Sequence, residues 1–99
     1  MCEFKIRRLN DDAQIAEEIL ILGYNENNEL LFRDILGAGE KAESALILEV
    51  NTMSQKVEIF EHPIIKDFVG LMRDVQRGKA SEAQIEALQS QLEAIKKEI

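Results

Sequence analysis

Cys2 is the one thiol in the chain, and it stands beside Met1. A thiolate next to a free amine is a chelator, with sulfur and nitrogen donors one residue apart. If Met1 is removed, as a small second residue permits, the Cys2 amine and thiolate close a five-membered ring on a metal. If Met1 stays, the Cys2 amide or the Met1 amine supplies the nitrogen. Two such arms make a planar N2S2 set, which suits Ni(II) or Cu(II) rather than tetrahedral Zn(II). One cysteine and one histidine per chain cannot close a four-ligand zinc site without a second chain. The plain alternative is that Cys2, on an apolar strand face beside Phe4, is a small buried hydrophobe.

The other reactive residue types do not assemble into catalytic patterns. With a single histidine there is no Ser/His/Asp set, and the pairs Asp11-Asp12 and Glu17-Glu18 read as solvated charge rather than a general acid and base. The chain is therefore expected not to be an enzyme. His62, before Pro63, is expected at the surface of a strand end and not as a ligand. Gly37-Ala38-Gly39 lacks the Lys-Ser/Thr pair that completes a phosphate loop, which leaves a flexible loop or bulge. Lys5, Arg7 and Arg8 are the one basic cluster near the strands, with Lys41 a further candidate. A formal charge of −7 opposes a phosphate backbone. No aromatic residue interleaves with these cations for base stacking. A solvated strand face explains them first, and a small RNA-binding module second.

The elements that carry these residues follow from periodicity. Residues 1–8 alternate, with Cys2, Phe4 and Ile6 on one face and Glu3, Lys5 and Arg7 on the other. Residues 9–16 read as a connection, given Asn10, Asp11 and Asp12. Residues 18–24 are apolar on both faces, as expected of a central strand covered on two sides. Residues 25–28 form a hairpin turn, and residues 29–36 a third strand. Residues 45–50 and 56–61 complete five strands, the last with Val57 and Ile59 inward. Five short strands with tight connections predict a small antiparallel sheet, an SH3-like or partly closed β-barrel.

The register changes at Pro63, which suits the first turn of a helix. Ile64, Phe68, Leu71 and Val75 recur at helical spacing, widened by Ile65 and Met72. Gly78 ends that helix, and Ser81 with Gln84 forms a capping box for another. Ile85, Leu88, Leu92, Ile95 and Ile99 make an a/d seam, with the first four expected to pack against the first helix, the sheet or a second chain. The fold class is thus α+β, one domain, with a β-rich core over residues 1–61 and a helical extension over 62–99. No apolar run approaches the roughly 18 residues of a membrane span, and no signal-peptide pattern opens the chain. A cytoplasmic protein is expected, and a lone cysteine fits a reducing compartment.

The order M-C-E-F-K-I, I-L-I-L, L-L-F-R-D-I-L-G, A-L-I-L-E-V-N and K-V-E-I-F-E resembles the CooT family of small nickel-binding proteins, many of whose members are described as predicted RNA-binding proteins. The resemblance covers residues 1–61, and its specific parts are Met1-Cys2 and the turn Asp34-Ile35-Leu36-Gly37. It implies a compact β-rich protomer that dimerises and binds one Ni(II) through Cys2 at the dimer interface. It also implies a place in the maturation of nickel enzymes. The helices lie outside the resemblance. The competing expectations are the RNA-binding module and a non-catalytic dimeric interaction protein.

Overall fold

The computed structural model describes residues 3–99. They run as β1 (Phe4–Arg8), β2 (Ala13–Tyr24), β3 (Leu30–Asp34), β4 (Gly39–Ala42), β5 (Ala45–Asn51) and β6 (Lys56–Glu61), then α1 (Pro63–Gln76) and α2 (Glu82–Glu98). The strands form one sheet in the order β4-β3-β2-β1-β6-β5. Its pairings are antiparallel except β1 with β6, which is parallel.

β2 bends the sheet. Phe4 faces Ile19 and Ile6 faces Ala16, so β2 carries one residue more than β1 between those pairs. That bulge places Glu18 at φ 58. A second irregularity follows between Ile19 and Ile21 against β3. Bulges kink a strand and sharpen its twist, and here they divide β2 into a half that pairs with β1 and a half that pairs with β3. The bend wraps the sheet around Ile6, Leu30, Phe32, Val57 and Ile59, which are fully buried.

The curl is nearly complete at one point. β4 and β5 are the two edges of the sheet, yet only Glu43 and Ser44 separate them in sequence. The edges must therefore meet at that link, and nearby the Tyr24 hydroxyl, at the end of β2, donates to the Ala45 carbonyl of β5 at 2.6 Å. No ladder joins β4 to β5. The five-stranded antiparallel barrel expected from sequence is thus a six-stranded, mixed, open sheet.

Three local expectations also change. Residues 13–16, taken as a connection, are the first turn of β2's ladder with β1, and only residues 9–12 turn. Gly39, expected in a flexible loop or bulge, opens β4, a strand over residues 39–42 that the sequence did not predict; a strand as short and polar as G-E-K-A carries no alternation to detect, and short charged edges are how sheets avoid adding further strands. The run Ile19–Leu22 is not covered on both faces: Ile19 is buried, while Ile21 is 58% exposed because no helix covers that side.

The helices begin and end where the sequence marks them. The His62 ring accepts a hydrogen bond from the Ile64 amide through Nδ1 at 3.2 Å, and Pro63 follows it at the first helical position. Gly78, at φ 72, closes α1. Ser81 and Gln84 form the reciprocal capping box on α2. The two helices fold back on each other as a hairpin. Leu71 and Leu88 are buried, Gln84 donates to Asp74 at 2.8 Å, and Gln91 donates to Asp67. That intrachain seam is one of the packings expected for α2.

α1 docks on the sheet largely through polar groups. The Arg73 guanidinium donates to the carbonyls of Tyr24 and Asn25 and, at 3.0 Å, to the Asn28 side chain. Gly70 permits this approach, since a Cβ there would lie 3.0 Å from the Asn28 amide nitrogen. At the other end, Ser44 Oγ accepts from the Lys66 amide at 2.9 Å and donates to the His62 carbonyl.

Candidate functional site

Cys2 and Met1 lie outside the described residues, so the site can be built only up to the strand that follows them in sequence. β1 starts at Phe4, hydrogen-bonded in the middle of the sheet between β2 and β6. Phe4 is half-buried and lines an apolar cleft of about 360 Å³ with Ile19, Leu20, Leu22, Ile47, Val50 and Val57. Val50 is 53% exposed on the edge strand, so the cleft opens to solvent beside the start of β1. The side chains lining the cleft are all apolar, so none of them is a metal ligand.

Among the described residues no three His, Cys, Asp or Glu side chains converge as a metal cluster. A thiolate with one nitrogen supplies two donors of a four-coordinate set.

The basic residues do not form one cation patch. Arg7 is paired with Asp12 at 3.0 Å, and Arg8 with Asp11 at 2.8 Å and Glu61 at 3.4 Å. The hydrogen bond from Arg8 holds the Asp11 carboxyl below its usual range, and the same bond makes the guanidinium still harder to deprotonate. Neighbours along a strand point to opposite faces, which separates Arg8 from Lys5 and Arg7. Lys5 is exposed beside Lys56 in the register with β6. Lys41 lies on β4 and pairs with Glu29 at 3.1 Å.

On α2 the four seam residues divide. Leu88 is buried and Ile95 half-buried, whereas Ile85 and Leu92 are about half exposed. His62, expected at the surface, is half-buried as the cap of α1. With Nδ1 accepting from the Ile64 amide, the neutral ring carries its proton on Nε2.

Two features carried no sequence signal. Glu29 is the one buried charged residue among those described, held by Asn25 and Lys41. A groove of about 650 Å³ is assembled from Lys41, Ser44, His62, Lys66, Asp67 and Gln91, residues far apart in the chain. Both signs of charge line it, so it selects no single class of ligand.

Compared with known proteins, the chain matches no family model and no curated protein.

Proposed function

We propose that this chain is a nickel-binding accessory protein, which holds Ni(II) as cargo between two chains through the thiolate of Cys2. The observation that carries the reading is the position of β1. Chain connectivity keeps Cys2 within about 7 Å of Phe4, and Phe4 lines an apolar cleft open to solvent. An apolar wall at the start of β1 supports the reading, because a hydrophobic surround limits water at a metal–thiolate site. The sparse donor set supports a two-chain site, and the sequence resemblance over residues 1–61 supports nickel as the metal. An accessory protein of this kind supplies or sequesters Ni(II) for the maturation of nickel enzymes. The reading involves no chemistry beyond binding and release.

Titration of the chain with Ni(II), followed in the thiolate-to-metal charge-transfer region, tests it. Saturation at one ion per two chains, lost in Cys2→Ser, is the expected result. Mass spectrometry of the same sample reports whether Met1 is present and so which nitrogen is available. A Ni(II) affinity unchanged in Cys2→Ser would remove the proposal.

A further inference from the structure

The apolar stripe of α1 does not face the sheet. At about 100° per residue, Phe68, Met72 and Val75 lie within roughly 60° of one another on the helix. Gly70 and Arg73, which touch the turn at Asn25–Asn28, lie on the far side. Asp67 and Asp74, which bond to Gln91 and Gln84, mark the side towards α2. The stripe therefore points away from the turn and lies round the helix from the α2 contact, on the far side of Leu71. Phe68, Met72 and Val75 are 50%, 43% and 54% exposed.

α2 continues the same surface. Leu88 points into the hairpin, and Ile85 and Leu92 sit about 40–60° round from it. Because the helices are antiparallel, rotation in the same sense on each leads to the same side of the hairpin. Ile85 and Leu92, 47% and 56% exposed, thus extend the face made by Phe68, Met72 and Val75. Five half-exposed apolar side chains amount to on the order of 400 Å², as large as the largest apolar patch of a typical monomer, which is often functional.

The charges bordering the face select its occupant. Next to Ile85 and Leu92, on the side away from α1, stand Glu82, Gln89 and Lys96, spaced by seven residues along one stripe. The stripe is self-complementary. A twofold axis at Gln89 with two α2 helices antiparallel sets Glu82 of each chain against Lys96 of the other and leaves the uncharged Gln89 pair at the centre. The same axis brings Ile85 of one chain within one residue of the level of Leu92 of the other. Isologous contacts of this kind require one patch to complement itself, and two helical hairpins meeting on apolar faces make a four-helix bundle.

We propose that Phe68, Met72, Val75, Ile85 and Leu92 form the face on which a second copy of this chain docks, with the α2 helices antiparallel about Gln89. This contact stands on the helices alone and goes beyond the nickel reading. Sedimentation of the metal-free chain, in chelator and across a concentration series, is the test. The expected species has twice the mass of one chain. Leu92→Glu places a charge in the apolar contact and should weaken the dimer roughly a hundredfold. Its far-UV circular dichroism should not change, because Leu92 is exposed in the single chain. Glu82→Lys or Lys96→Glu alone should weaken the dimer about tenfold, since symmetry breaks each pair twice, and the two together should restore it. A chain monomeric throughout, a dimer indifferent to Leu92→Glu, or charge changes that fail to compensate would each overturn the inference. Dimerisation that appears only with Ni(II) would overturn it while leaving the nickel site standing. A metal-free dimer that persists in Cys2→Ser and binds no Ni(II) would uphold it and remove the nickel site.

Discussion

The Lys41 ammonium lies 3.1 Å from the Glu29 carboxylate, which is itself only 6% exposed. Burial opposes ionisation of Glu29, yet its carboxyl is held below the ordinary range. The hydrogen bond from Asn25 is the main cause, followed by that from Lys41. Asn25 organises the whole corner, since its side-chain oxygen also accepts from the amides of Asn27 and Glu29. A carboxyl whose folded pKa lies below its unfolded one stabilises the fold above the unfolded value, and that stabilisation is lost as pH falls through the folded value. Glu29→Gln should therefore lower the melting temperature at neutral pH. The two proteins should converge in acid, below the ordinary carboxylate range. Thermal unfolding across that range measures it, and a gap that stayed constant with pH would separate Glu29 from the acid limb.

Arg73 ties α1 to the turn after β2 through two carbonyls and Asn28. Removing the guanidinium takes a half-buried donor from all three acceptors, although the Asn25 carbonyl keeps the Asn28 amide, and Arg73→Met should cost about 2 kcal/mol in chemical denaturation. Gly70→Ala crowds the same junction at Asn28. Because both act on one contact, the double variant should cost less than the sum of the two.

The Tyr24 hydroxyl bridges the end of β2 and the start of β5, two strands that share no ladder. Partial burial raises its pKa above the usual phenol value. Tyr24→Phe should cost about 1 kcal/mol and speed amide exchange at the β5 edge, with little change on β1. Hydrogen exchange resolved by residue distinguishes that outcome from a uniform loss of stability.

What the sequence made legible was what a few adjacent residues decide. Pro63, Gly78, Ser81 and Gln84 each carry their own helix boundary, and the structure uses all four. Val57 and Ile59 turn inward as their alternation requires. The parallel pairing of β1 with β6 is different in kind, since it joins Ile6 to Val57 with the rest of the sheet between them, and no local pattern encodes it. The exposure of Ile21 depends likewise on the missing cover over β2, a property of the packing and not of the run I-L-I-L. His62 caps a helix whose start was visible, but a ring nitrogen serving as the cap acceptor was not. The ion pairs of Arg7 and Arg8 with Asp12 and Asp11 join groups that sequence had placed in separate readings, one basic and one acidic.

Val50 offers a way to probe the proposed nickel site without touching Cys2. It lies on the exposed edge of β5 and lines the apolar cleft at the start of β1. If two chains bring their Cys2 thiolates together at that rim, a charge at Val50 enters the contact on both sides. Val50→Lys should then weaken Ni(II) binding about tenfold or more, because each buried, unpaired ammonium costs at least about 1.4 kcal/mol. The variant should keep the folded circular dichroism of the parent, as the side chain is half-exposed in one chain. Leu92→Glu, on the helical face, should leave the Ni(II) affinity of Cys2 unchanged. Measured side by side by calorimetry, equal losses in the two variants would mean that nickel binding depends on the helical contact. Loss in Val50→Lys alone would place the ion at the rim of the β core.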